Sequence, residues 1–287
     1  MKRAFIIAAS ENYLPGLKAL LNSIDVHQPD ADVILLSFRL PPDFLIQFNY
    51  EESGDCIHRV ICSESDDQVH GTAIERFKVA AEVAKDYDSI CLMDADMFLL
   101  EDCSTFFDVA AAGFIVTGSN GMIVNFNRDY QDRYGVDLGS DDYVYTKVHT
   151  SVPIFINQDN IDWFAALYNS RRVDHWDDFL YLNLIGAKMG KDKKMICLPP
   201  YQFTGIHHFQ MKPETRLVEK GGKILSATEE QAYMVHGKWW DEAWLQDLMP
   251  TMERYLNDEQ RGDKCRQKVI DSIQLIKDRF NHYLNLR

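Results

Sequence analysis

Asp94 and Asp96, separated only by Ala95, close the apolar run 90–93. Alternate side chains of a strand point to the same side, so both carboxylates of such a pair would face one point. Two acids converging in this way repel unless something positive lies between them, and a divalent cation carrying a phosphate is the usual answer. In a loop, the same pair would only cap a helix or stay solvated. Position favours the ligand reading, because ligands of open α/β sheets bind outside the carboxyl ends of the strands.

A second group with chemistry is His236-Gly237-Lys238, which follows an apolar strand and precedes Trp239 and Trp240. A glycine lets backbone approach a ligand closely, and a lysine pairs with phosphate. One imidazole joined to two carboxylates suits Mn2+, which tolerates nitrogen better than Mg2+ or Ca2+. A His-Gly pair alone usually marks a turn; the signal here is that His, Gly and Lys arrive together after a strand. The adjacent His207 and His208 would point apart and are read as acceptor-cleft or surface residues.

The elements that must carry these residues follow a strand, helix, strand pattern, expected for α/β with a parallel sheet. Segment 4–9 reads as a buried strand, and Pro15 opens a helix with Leu17, Leu20, Leu21 and Ile24 at helical spacing. Strands are expected at 33–37 and 59–62. An alanine-rich helix at 72–85 leads directly to the strand that ends in Asp94. Short strands are expected at 114–116, 122–126, 150–157, up to 198, and at 232–236. Segment 127–147 is polar and tyrosine-rich and reads as irregular, and helices are expected at 159–168 and after 178. From about residue 241 the pattern is helical, with Val269, Ile273, Ile276, Phe280 and Tyr283 forming a stripe.

Length and composition bound the function. A chain of 287 residues with 46% hydrophobic residues holds one large domain or a domain with an appendage. Net charge of -14 disfavours nucleic acid as a partner, since a phosphate backbone requires a basic face. Six cysteines without a C-x-x-C pair, several inside apolar runs, fit reduced core thiols and a cytoplasmic location. The first apolar run is too short for a signal segment, and no stretch reaches the length of a membrane span. Residues 263–287 carry six Lys/Arg against three Asp. That basic tilt suits peripheral contact with a membrane. Packing on the domain, or in a homodimer, is favoured because acidic residues interrupt the basic face.

The run ERFKVAAEVAKDYDSICLMDADMFLLED resembles the core of GT-A glycosyltransferases, with their Asp-x-Asp motif. It is most similar to glycosyltransferase family 8, the glycogenin and galactosyltransferase-like group. Arg76, Tyr87-Asp88 and Asp94-Ala95-Asp96 match that family in order and spacing. TSVPIFIN resembles its Asn-Ser-Gly-Val strand, with Thr150 for the Asn and Val152-Pro153 for Gly-Val. WDDFLYLNLI resembles its Asp-Gln-Asp helix start, with Asp177 and Asp178 at the acidic positions. VHGKWW is similar to its late His-x-x-Gly-x-x-Lys-Pro-Trp element, shortened and lacking the proline. The resemblance spans about residues 4 to 245, which implies a GT-A domain at 1–245 and a helical extension at 246–287.

The resemblance implies a metal-dependent transferase that moves a sugar from a UDP-sugar donor to a glycan, lipid-linked or other acceptor, with retention. Mn2+ or Mg2+ would be held by Asp94, Asp96 and His236, with Asp94 also touching the ribose. Ala8, Ala9 and Ser10 would line the base and ribose, with Tyr13 stacked on the base. Arg76 would reach the phosphates or the donor sugar, and Gly237 and Lys238 the leaving diphosphate. Plain readings stand beside these: Arg76 pairing with Glu75 or Glu82, and Tyr13 anchoring a loop. Asp177 and Asp178 admit three roles: helix N-cap, hydrogen-bond partner of sugar hydroxyls, or catalytic base. Two rival functions remain. A nucleotidyltransferase of related fold is disfavoured because AASENYLPG contains no lysine-bearing phosphate loop. A non-catalytic sugar-binding or scaffold protein is disfavoured by the presence of Asp96 and His236.

Overall fold

The computed structural model describes residues 1–50, 58–62, 68–118, 124–126, 128–134, 137, 139, 144–146, 153–161, 194–198, 217–255 and 263–286. The chain divides into two compact units. The first comprises Met1–Glu11, Asp30–Asp94 and Ser104–Leu198, and the second Asn12–Pro29, Ala95–Cys103 and Pro199–Arg287.

The first unit is built on a seven-stranded sheet. Its strands are β1 (Arg3–Ser10), β2 (Asp32–Phe38), β3 (His58–Cys62), β4 (Ser89–Asp94), β6 (Ile115–Gly118), β9 (Ile154–Ile156) and β10 (Met195–Leu198). Their order is β10-β6-β9-β4-β1-β2-β3. The sheet is parallel except at β9, which runs antiparallel to both β4 and β6. Phe5, Ile6 and Ile7 of β1, all of β2, and Ile90, Cys91, Leu92 and Met93 of β4 are buried. A continuous apolar run of this kind is what a strand covered on both faces requires.

Helices α2 (Pro42–Tyr50), α3 (Gln68–Val83) and α4 (Ser104–Ala111) pack on the sheet. Helix α3 buries Phe77, Ala80 and Val83, and the 3-10 turn Ala84–Asp86 carries the chain from it into β4. Phe107 of α4 meets the edges of Phe5 and Phe155 at 5.2 and 5.0 Å between ring centroids. The segment expected to be irregular carries two regular elements. These are α5 (Arg128–Tyr134), braced by an i,i+4 pair of Arg128 and Asp132, and β8 (Val144–Thr146), which pairs with β7 (Val124–Phe126). The β-forming triplet Val144-Tyr145-Thr146 is short enough to vanish among polar neighbours.

The second unit contains α1 (Leu14–His27), β5 (Met97–Leu99), β11 (Leu217–Lys220), β12 (Lys223–Ser226), β13 (Met234–His236), α6 (Glu242–Tyr255) and α7 (Asp263–Leu284). Strands β11 and β12 form a hairpin through Gly221 and Gly222, at φ 62° and 80°. Positive φ at both central residues is the condition of a tight turn matched to strand twist, and glycine meets it without steric cost.

The core of this unit joins Ala19, Phe98, Val235, Trp239 and Leu248 to Val269, Ile276, Phe280 and Tyr283. The apolar stripe of α7 is therefore spent on packing. No helix among the described residues is long and apolar enough to cross a membrane.

Candidate functional site

In the first unit, the sheet brings the carboxyl ends of β1 and β4 side by side, with Ala8 in register with Asp94. Ala8 and Asp94 are half-buried, whereas Ala9 and Ser10 are buried. Small side chains at this strand end keep the backbone open to a ligand. Arg76, 9% exposed on α3, donates from Nη1 to Asp94 Oδ1 at 2.5 Å. Its guanidinium also lies 5.0 Å from the ring centre of Phe77. A charged pair is thus fixed at the sheet's carboxyl edge, and the predicted phosphate-binding cation is already engaged with the first acid of the motif.

In the second unit, β5 and β13 pair antiparallel, with His236 opposite Met97 and Val235 opposite Phe98. The Gly237 N–H donates to Asp96 O at 2.8 Å and extends this ladder to the second acid. The register sets the Asp96 carboxylate against the His236 imidazole, Oδ1 to Nε2, at 3.0 Å. Burial pushes the Asp96 carboxyl up, but the charge and hydrogen bond of His236, with help from Lys238, outweigh it. The carboxyl is held below the usual carboxylate range. Asp96 is thus kept as an anion.

Gly237 adopts φ 147°, and a Cβ there would fall 2.6 Å from Trp244 Cη2. Only glycine fits this backbone and this space. Lys238 Nζ lies 5.2 Å from the ring centre of Tyr13, and Tyr13 meets Trp240 edge-on at 5.9 Å. Trp240 and the Ala95 carbonyl both press on Gly16 in the first turn of α1; a Cβ there would fall 2.6 Å from Ala95 O.

The predicted residues therefore fall into two groups: Ala8, Ala9, Ser10, Arg76 and Asp94 in the first unit, and Tyr13, Asp96, His236, Gly237 and Lys238 in the second. Asp177, Asp178, His207 and His208 lie outside the described residues. Sequence reasoning missed Gly16 and treated Trp240 only as apolar surface. The Pro15-Gly16 pair inside a helical pattern was the available signal for a close approach.

No family model and no curated protein matches the chain. Solved structures do. The bifunctional glycosyltransferase WbbM, in its apo structure, is similar at a TM-score of 0.52 and 13% identity, covering 94% of this chain and 52% of that one. The chain thus spans about half the length of WbbM. The galactosyltransferase LgtC, crystallised with donor and acceptor sugar analogs, aligns at a TM-score of 0.49 and 14% identity over 90% of this chain and 99% of that one. The glycosyltransferase GlyE of Streptococcus pneumoniae aligns at 0.42 and 17% identity over 70% of this chain and 46% of that one. The likeness to WbbM concerns the fold, and the chain has the mixed α/β, GT-A-type architecture expected from its sequence.

Proposed function

We propose that this chain is a metal-dependent glycosyltransferase of the family 8 type, which moves a sugar from a UDP-sugar to an acceptor with retention of configuration. The observation that carries the reading is the Asp96–His236 pair, set at 3.0 Å two residues after the acid that Arg76 holds. Two carboxylates and one imidazole are a donor set suited to Mn2+. Asp96 and His236 would each give one ligand atom to such an ion, with Asp94 as the third ligand that the family resemblance implies. When bound, the ion neutralises charge growing on the departing diphosphate.

The chain's own groups have separate tasks. The Ala8-Ala9-Ser10 strand end receives base and ribose, and Tyr13 packs on the base. Arg76 orients Asp94 and adds positive charge toward the donor. Lys238, steadied over the Tyr13 ring, meets the diphosphate, where it counters the charge that develops as the sugar–oxygen bond breaks. The acceptor oxygen bonds to the anomeric carbon on the face the diphosphate leaves, and its proton passes to the departing phosphate oxygen. Asp177 and Asp178 hold sugar hydroxyls.

The test is turnover of a panel of UDP-sugars with Mn2+. Donor hydrolysis is expected with one member, abolished by chelation and by Asp96→Ala. Turnover by that variant without metal would overturn the site.

A further inference from the structure

The aromatic packing of the second unit links its C-terminal helix to Lys238. Phe280 of α7, 2% exposed, stacks on Trp240 at 6.0 Å between centroids and 29° between planes. Trp240 in turn meets Tyr13 edge-on at 5.9 Å and 73°. The Tyr13 ring carries Lys238 Nζ at 5.2 Å. Four side chains from three parts of the sequence thus form one continuous line of ring contacts ending on a cation. Offset and edge-on ring pairs are favoured by the ring quadrupole, and a cation over a ring is held by the same field.

Trp240 also lies against the first turn of α1. Gly16 has no Cβ, and the space a Cβ would take is filled by Trp240 and by the carbonyl of Ala95. Trp240 therefore lies against both the first turn of α1 and Phe280 of α7. Phe280 and the first turn of α1 restrict how far the half-buried Trp240, and Tyr13 through it, can tilt.

We infer that Trp240 and Phe280 are positioning residues for nucleotide binding, acting through Tyr13 on Lys238, so that α7 sets the affinity for the donor's nucleoside diphosphate. The inference rests on the donor site proposed above. It assigns the C-terminal helix a function that neither packing alone nor contact with a membrane would give it. Truncating either ring loosens Tyr13, and Lys238 then spends less time poised where the diphosphate arrives; the binding-competent fraction falls and the apparent affinity with it.

The experiment titrates UDP into the full chain at saturating Mn2+ by calorimetry, with Mn2+ alone followed by electron paramagnetic resonance. Trp240→Leu and Phe280→Leu should each weaken UDP about three- to tenfold, the effect of one aromatic contact. Trp240→Phe should restore affinity, and Mn2+ binding without nucleotide should be unchanged in all three. In a Tyr13→Leu background, Trp240→Leu should bring no further loss, since residues acting through one another are not additive. UDP affinity unchanged in both leucine variants, or losses that add across the double variant, would overturn the relay while leaving the donor site standing. A wild-type chain that binds Mn2+ but no UDP would overturn the donor reading, and the relay with it. Should Trp240→Leu fail to fold, judged by circular dichroism, Phe280→Leu and Trp240→Phe decide alone.

Discussion

Asp96 and His236, 140 positions apart in the sequence, meet at 3.0 Å because β5 and β13 pair in a register that sets Met97 opposite His236. The pairing belongs to the backbone, so the side chains meet with or without a ligand. Side-chain exposures of 13% and 14% leave each partly open to solvent.

Removing the imidazole should leave the acids in place and the cation weakly held. His236→Gln should lower Mn2+ affinity by at least about 10- to 100-fold, the loss that follows even from removing a partner behind a metal ligand. Titration of the free Mn2+ signal checks this. Circular dichroism should be unaltered, since the β5–β13 ladder is made of main-chain bonds.

Arg76 and Asp94 form a pair whose two members need not contribute alike. The guanidinium is nearly buried and the carboxylate about one-third exposed. Arg76→Met leaves Asp94 without this partner and should cost about 1–3 kcal/mol in urea unfolding. It should also raise the UDP-sugar KM. Arg76→Lys should recover stability only in part, because an ammonium cannot reproduce the planar fork. A stability loss with unaltered donor kinetics would reduce Arg76 to a clamp on Asp94.

Gly237→Ala tests the late loop. At φ 147°, with Trp244 Cη2 at 2.6 Å from the new carbon, an alanine is both strained and crowded. The expected cost is about 1–3 kcal/mol. Because Gly237 also donates to Asp96 O, the same change should weaken Mn2+ binding, whereas an alanine at exposed Gly221 or Gly222 should leave the metal untouched.

These relationships differ in how far the sequence disclosed them. The buried strands β1, β2 and β4 were legible because both faces of a parallel sheet demand an unbroken apolar run, and Asp94 was legible as its end. The stripe of α7 was legible too, since a helix face repeats over many turns and local noise averages out. The β11–β12 hairpin was overlooked although Gly221-Gly222 announces it; the flanking strands of four residues each alternate too weakly to register. His236 could be joined to the two acids only by residue type and by the family resemblance, because a long-range strand register leaves no local mark. Trp240 and Gly16 were invisible as partners for the same reason: a missing Cβ signals close approach without naming what approaches.

His27 gives the fold a pH dependence whose sign is fixed. It lies at the end of α1, and its Nε2 lies 2.6 Å from the hydroxyl of Tyr283 on α7. Burial pushes the imidazole below its ordinary value of 6.5, Glu101 and Asp102 pull it up, and Arg279 pushes it down, with a net lowering. Between the folded value and 6.5 the unfolded chain binds a proton that the folded chain refuses, so stability rises with pH across that window. The full contribution is present above 6.5, is lost as pH falls toward the folded value, and changes no further below it. Thermal unfolding from about pH 7.5 to about pH 5.5 should therefore show a falling Tm in the wild type. His27→Gln can keep a hydrogen bond to Tyr283 but cannot titrate, and its Tm should fall less over the same range. The difference between the two curves isolates His27 from the carboxylates, which titrate in both proteins. Parallel curves would mean that the α1–α7 contact is indifferent to the proton.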